Sequence, residues 1–387
     1  MQWTLQVAAG ALALSFATGA SAEESGLRFT SDGLEYRSPG GDVRAVLGGR
    51  VHADMAAVED NSGQVDDEEL RRARLELRLR LFDDWRLRLD HEFTSGGGWR
   101  NAWIGYDATD HLSVRAGNFI APFSMEDLGS SNETMFMERS LAQTLAPGYG
   151  LGAGAFYEGR HFSLAGAYFD GALDSEESTP SNQGRGAAAR LTYSPIEHRR
   201  TTLHLGAGIA RHEFDTGDVL RFTADPEAHL ASTAVRSGAI ADAEAMTSYN
   251  LEAAFARGPL LLQAQFITTE VARTAGADLS FDGHYAQAGW IITGESYRYG
   301  DSTGVFRGPR PRRAYGALEL AARASSLDLS EAGPTRGSAD NVTLGLNWYV
   351  NQNVRLMANY VHSEVDAVDP AFDNTFDITE ARLAVSF

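Results

Sequence analysis

The sequence places charged residues, mostly arginine, at alternate positions along two arms of one short stretch, Arg71–Phe93 (RRARLELRLRLFDDWRLRLDHEF). Arg72, Arg74, Arg78 and Arg80 share one side with Glu76. Beyond Asp83-Asp84, Arg86 and Arg88 share one side with Asp90 and Glu92. The same parity in neighbouring segments adds Arg44, Arg50 and Arg115. A row of guanidinium groups offers permanent charge and forked N–H donors, which suits phosphate and other oxyanions. The same groups could instead pair with Glu76, Asp90, Glu92 and Asp54 and simply stiffen a wall, since exposed pairs are individually weak. The residues alone leave both readings open.

The opposite parity holds Ala73, Leu75, Leu77, Leu79 and Leu81, then Leu87, Leu89 and Phe93. Leu, Arg and Glu are good helix formers. A helix would smear the two sets around its axis, whereas strict alternation is the mark of a strand. Two such strands joined through Asp83-Asp84 make a tight hairpin. The hairpin could sit in a soluble sheet, with leucine in a core and arginine in water. It could also be inside out, with leucine toward lipid and charge toward a water-filled lumen. The rest of the chain decides.

A chain of 387 residues is enough for two ordinary domains or one large barrel. No internal apolar run reaches about 18 residues, so no helical span is expected; a strand-built span stays open. The 40 glycines, 19 phenylalanines and 13 tyrosines suit tight turns and sheet surfaces. Absence of cysteine rules out disulfides and thiolate metal sites. The net charge of -19 argues against nucleic acid as a partner. All 33 basic residues are arginine. No Gly-x-Ser-x-Gly elbow, His-Glu-x-x-His pair or phosphate loop is present, so neither an enzyme nor a cofactor site is expected.

Met1–Ala22 carries an apolar stretch from Val7 to Ala17 and ends in Ala20-Ser21-Ala22. That is a signal-peptide pattern, although no Lys or Arg precedes the apolar stretch. It places the mature chain beyond the inner membrane. Residues 23–42 then read as a short periplasmic segment and 43–387 as one barrel domain.

Alternation predicts strands near 43–57, 71–82, 85–93, 99–107, 111–119, 150–158, 161–170, 186–194, 200–211, 247–257, 259–271, 281–294, 313–324, 341–349, 353–363 and 378–387, sixteen in all. Odd-numbered connections, such as 58–70, 120–149 and 212–246, are mostly long; even-numbered ones are mostly short. Soluble sandwiches have no cause for that parity, whereas an outer-membrane barrel has short periplasmic turns and long outer loops. The exception is 295–312, long and arginine-rich, expected to form a basic exit funnel or to dock on the periplasmic rim. The first outer connection carries Glu59, Asp60 and Asp66–Glu69, and the last carries Glu364, Asp366, Asp369, Asp373 and Asp377. These acids are expected to form a solvated rim beside lipopolysaccharide. The final strand ends on Phe387, like the signal read by the barrel assembly machinery.

Two segments make the reading specific. Gly26-Leu27-Arg28-Phe29, Ser31-Asp32-Gly33 and Gly49–Asp54 resemble the start of the phosphate-selective porin O and P family. Gly117–Glu126, Ser130-Ser131-Asn132 and Phe136–Arg139 resemble that family's third loop, and Thr293–Glu295, Gly304–Phe306 and Leu318–Arg323 its later segments. The resemblance implies a sixteen-stranded antiparallel transmembrane β-barrel whose third loop folds inward, a homotrimer in the outer membrane of a Gram-negative bacterium. It implies passive diffusion of small hydrophilic solutes, with anions such as phosphate or polyphosphate favoured. Anion-binding residues would be Arg50, Arg72, Arg74, Arg78, Arg80, Arg86, Arg88 and Arg115. Constriction-loop residues would be Ser124, Glu126, Ser130, Ser131, Asn132 and Arg139. Against phosphate stand Ile120 and Asn132, where the family tends to carry cations, and the acidic outer loops, whose repulsion is screened beyond about 10 Å in roughly 0.1 M salt. A general or weakly cation-selective porin, or a structural barrel with an occluded lumen, are the alternatives.

Overall fold

The computed structural model describes residues 25–94, 97–171, 173, 184–198, 200–300, 303–332, 337–370 and 373–387. The proposed signal peptide lies outside them. Sixteen long strands form the wall: β1 Val43–Asp60, β2 Gly63–Leu81, β3 Trp85–Glu92, β4 Gly98–Asp107, β5 Leu112–Ile120, β6 Tyr149–Glu158, β7 Phe162–Asp170, β8 Arg185–His198, β9 Thr201–Glu213, β10 Ala243–Arg257, β11 Leu260–Arg273, β12 Leu279–Ile291, β13 Ala317–Asp328, β14 Gly337–Tyr349, β15 Val354–Ala367 and β16 Asn374–Ser386. Each pairs antiparallel with the next, and β16 returns to β1 from Ser386↔Arg50 to Asp377↔Glu59. Closure removes the unpaired edge that a sheet cannot expose to lipid. An N-terminal hairpin, Gly26–Thr30 with Gly33–Arg37, adds to the sheet where Leu34–Arg37 meet Arg44–Leu47.

Period two sorts side chains as the inside-out geometry requires. Leu205, Leu251, Leu262, Leu320, Leu344 and Leu383 are exposed on the outer face. Trp85, Phe162, Trp290, Trp348 and Phe387 form an exposed aromatic ring near the short-turn end. The inner face is polar and mostly buried, because loops fill the lumen.

Three connections depart from the expected map. The first outer connection, expected over 58–70, is no loop: β1 and β2 run on to a turn at Asn61-Ser62. These strands have 18 and 19 residues, where about 9–11 span a bilayer, so the acidic outer part projects beyond the membrane. The β2–β3 turn uses Phe82 and Asp83, both with positive φ (51° and 64°), as well as Asp84. Asp tolerates this region, whereas Phe is strained there, and its exposed ring lies at the lipid boundary. The segment 295–312 is neither funnel nor rim. Its hairpin, Arg298–Gly300 with Val305–Arg307, turns into the lumen and reaches the opposite wall. There Arg190 donates to the carbonyls of Thr303 and Gly304 at 2.6 and 3.1 Å.

The closing seam depends on a glycine set against the last residue, Phe387. Gly49 and Phe387 exchange backbone hydrogen bonds of 2.7 and 3.0 Å. A Cβ on Gly49 would stand 2.6 Å from the Arg74 carbonyl and 2.9 Å from the Phe387 ring. Gly49→Val therefore forces a clash at the β16–β1 seam, costing about 1–3 kcal/mol or more. The folded, faster-migrating band of an unheated sample on a denaturing gel should diminish sharply. An unchanged folded fraction and melting midpoint would remove Gly49 from the closure.

Candidate functional site

The third outer connection, 121–148, lies inside the barrel, held to the wall by buried polar contacts. Arg382 on β16 is fully buried and donates to Asp54 at 2.7 and 2.6 Å, to Glu138 at 2.7 Å and to the Met137 carbonyl at 2.5 Å. Arg71 grips both Glu138 oxygens at 2.9 and 3.0 Å. Burial alone would push the Glu138 carboxyl up, but Arg71, Arg382 and Arg72 overcome it and hold it well below the usual carboxylate range. Arg71 was missed by parity. A β-bulge leaves it unpaired between His52↔Arg72 and Ala53↔Leu70, which turns it inward beside Arg72.

The predicted loop residues divide into two groups. Ser124, Glu126 and Arg139 hold the loop's own shape and its anchorage. The Ser124 hydroxyl donates to Gln143 at 2.9 Å and accepts from Gln265 at 3.0 Å and from the Asp127 N–H at 3.3 Å. Glu126 accepts from the Ser140 N–H and hydroxyl at 3.1 and 2.6 Å and from Arg323 at 3.4 Å. Arg139 donates to the Glu126, Asp127 and Gly129 carbonyls. Ser130, Ser131 and Asn132 instead meet the arginine wall: Arg50 donates to Ser130 at 3.3 Å and Ser131 at 2.9 Å, and His52 lies 3.0 Å from Asn132.

Sequence reasoning gave the fifth outer connection as long, over 212–246, but missed that it turns inward; it spans 214–242. It sends Glu227 into the lumen, where its carboxylate accepts from Arg323 at 3.0 and 2.6 Å and from Thr343 at 2.6 Å. The Leu141 N–H of the third loop bonds to it at 3.2 Å. Leu220, Phe222, Val235 and Ile240 are buried around it, giving this loop its own apolar footing. From the other end, the 298–307 hairpin meets the third loop: Arg298 pairs with Glu133 at 3.0 and 3.1 Å, and Tyr299 reaches Ser194 and His204 at 2.8 and 2.7 Å.

Space remains between these insertions and the barrel wall. One cavity of about 410 Å³ is bounded by Arg50, Glu76, Arg78, Arg88, Arg307 and Arg355. A second of about 700 Å³ is bounded by Arg80, Arg86, Arg115, Arg190, Ile120 and Leu128. Both are lined by Leu128 of the third loop and Thr303 of the inward hairpin.

The eight predicted arginines are therefore on one wall but not equally paired. Glu76 takes Arg78 at 3.0 Å, Arg88 at 2.8 Å and Arg50 at 3.6 Å. Asp90 takes Arg88 at 2.8 Å, and Glu92 takes Arg74 at 3.2 Å. Asp107 pairs with Arg86 and lies 3.9 Å from Arg80, while Glu138 lies 3.9 Å from Arg72. Arg115 meets no carboxylate among the described residues and packs against Trp103, Phe156 and Phe119, at 4.1, 4.4 and 5.4 Å from the ring centroids. Eight guanidinium groups thus share five carboxylates, Glu76, Asp90, Glu92, Asp107 and Glu138. Arginines facing them across the lumen are matched more evenly: Arg190 by Glu252, Arg323 by Glu126 and Glu227, Arg355 by Glu319.

Comparison with known proteins agrees with this architecture. Residues 46–387 match the family described as phosphate-selective porin O and P. Porin O of Pseudomonas aeruginosa is 24% identical over 391 residues, covering 88% of this chain and 87% of that protein. An uncharacterized protein of Caulobacter vibrioides is 28% identical over 386 residues, covering 90% of this chain and 75% of that one. Among solved structures, an anion-selective porin from Comamonas acidovorans superposes with a TM-score of 0.60 at 13% identity, covering 89% of this chain and all of that one (100%). The outer membrane channel DcaP of Acinetobacter baumannii does so at 0.57 and 10% identity, covering 91% and 99%. A family match over nearly the whole barrel, sixteen closed strands and an inward third loop lead to one conclusion: the chain belongs to the phosphate-selective porin O and P family of Gram-negative outer-membrane porins.

Proposed function

We propose that this porin conducts small anions by passive diffusion, and that the β1–β5 wall sets the preference. The observation that carries this is that the eight predicted arginines of that wall share five carboxylates, four on the wall and Glu138 on the third loop. Fixed charge at a narrow point biases which ions enter. Three net charges about 8 Å from a permeating ion contribute about 1.5 kcal/mol in water, on the order of tenfold, and a few-fold once physiological salt screens them. The family's description as phosphate-selective and the anion-selective porin of Comamonas acidovorans support the same preference. Ile120 and Asn132 argue for broad anion passage over tight phosphate capture. A homotrimer is proposed with it, supported by a trimer form of Vibrio cholerae OmpT, of TM-score 0.56. Phe387 would present the chain to the barrel assembly machinery, and the acidic projection of β1–β2 would face lipopolysaccharide.

One observation favours the weakly cation-selective alternative. Glu59, Asp66, Asp67 and Glu68 are exposed on that projection and Asp60 is half-buried, at the outer entrance. Their effect is confined to low salt, so selectivity measured across salt concentrations separates the rim from the wall.

Arg78 and Arg80 are exposed, and when they are changed the buried Glu76 keeps Arg88 and Asp107 keeps Arg86, so no partner is stranded. The double substitution Arg78→Gln with Arg80→Gln should lower the anion-to-cation permeability ratio several-fold, read as a reversal-potential shift in a salt gradient across planar bilayers. An unchanged potential would move the filter elsewhere.

The Arg382 anchor makes the opposite kind of prediction. Arg382→Met strands Asp54 and weakens the hold on Glu138, a loss of about 3–5 kcal/mol for a broken buried pair. The third loop should loosen, and single-channel recordings should show higher conductance and more open-channel noise. In the natural chain the Glu138 contribution has the sign of a depressed carboxyl. It is fully present above the ordinary carboxylate range and fades only as pH falls through its lowered value. The part of the noise that Arg382→Met changes should therefore stay flat from about pH 7 to about pH 4 in the natural chain. Noise rising at about pH 4–5 would mean that Glu138 is not held ionised.

A further inference from the structure

The larger lumenal cavity has a shape and chemistry that inorganic phosphate does not use. It measures about 700 Å³ and opens at the periplasmic turns around Asp84 and His111. Arg115 lines its wall. The strand partners of Arg115 are Gly105 on β4 and Gly154 on β6, so no side chain stands beside its stem in either direction. Trp103 on β4 and Phe156 on β6 fill that room and flank the guanidinium from the two neighbouring strands, 4.1 and 4.4 Å away. With rings on both sides, the edge of the guanidinium is what remains to donate, and its forked N–H groups fit a planar carboxylate. Among the described residues no carboxylate of the chain occupies that edge.

Beside this cation the end of β5 and the third loop present apolar surface. Ile120, Pro122 and Leu128 line the cavity together with Phe156. A hydrated inorganic ion gains nothing from those groups, whereas an organic anion with an apolar body gains from burying it against them. In register with Arg115 across Gly105, Arg86 shares Asp107 with Arg80, and Asp83, Asp84 and Asp110 are exposed at the turns, so the charge left without a carboxylate is that of Arg115.

We propose that this cavity is a binding site for organic anions that carry an apolar body, aryl carboxylates such as benzoate being the fitting class. The carboxylate would meet the Arg115 edge, and the ring would lie against Ile120, Pro122 and Leu128. The proposal rests on the anion-conducting reading above and narrows its substrate class.

The test is current block of the intact channel in planar bilayers, with chloride as charge carrier and benzoate, acetate or inorganic phosphate added from the periplasmic side. Reversal potential in a salt gradient is recorded on the same channels. Benzoate should block at a half-blocking concentration about tenfold below that of acetate, equivalent to about 1.4 kcal/mol, and below that of phosphate. Arg115→Gln should abolish the benzoate block. Ile120→Ser should weaken it several-fold while leaving acetate unchanged, and decides the matter if the Arg115 variant does not fold. Anion-directed reversal with benzoate and acetate blocking alike overturns the site and leaves the anion channel standing. Benzoate block that survives Arg115→Gln also overturns it. Cation-directed reversal overturns the channel reading first, and the site with it.

Discussion

Buried pairing between guanidinium and carboxylate groups is the constraint on which this lumen depends. A loop of nearly thirty residues can lie inside a barrel only if its polar backbone and charges find partners there, because water is largely displaced. Arg382 shows how this is met. One side chain satisfies Asp54 on β1, Glu138 of the third loop and the Met137 carbonyl at once. Arg323 does the same on β13, joining the third loop to Glu227 of the fifth. Removing one member of such a set strands the others, so the loop is held by cooperation between contacts more than by any one of them.

The same residue type therefore has two roles, separated by burial and partner. Arg382, Arg323 and Arg190 are buried and matched to carboxylates, and they shape the passage. Arg78, Arg80 and Arg86 are more open and share carboxylates with other arginines, so they leave a field for ions to respond to. Arg115 is a third case, supported by aromatic faces in place of charge. A chain without lysine uses arginine throughout, which suits both roles. Its planar fork makes bidentate buried pairs, and its charge persists at every physiological pH.

Much of the fold was legible in the sequence, for a physical reason. Lipid on one side of a wall and water on the other force period two on every strand, so sixteen strands and their inner and outer faces could be read from residues such as Leu75, Leu77 and Leu79 against Arg74, Glu76 and Arg78. The inward third loop was legible only through family resemblance. The inward turns of 214–242 and 298–307 were not legible, because they rest on contacts far apart in the chain, Glu227 with Arg323 and Arg298 with Glu133. Arg71 was hidden by a bulge that alternation cannot foresee, although the Arg71-Arg72 pair at the break in period was a usable signal. The pairing of Glu126 with Arg323 was equally out of reach, since a loop carboxylate has no period to place it.

Anomalous diffraction from crystals of the porin, grown once in bromide and once in rubidium salts, tests the charge surplus on the β1–β5 wall most directly. Bromide should occupy sites against Arg78, Arg80, Arg86 and Arg115, with no rubidium along that wall. Rubidium beside Glu76 and Asp107, with no bromide near the arginines, would show that the carboxylates govern the passage and would contradict an anion channel.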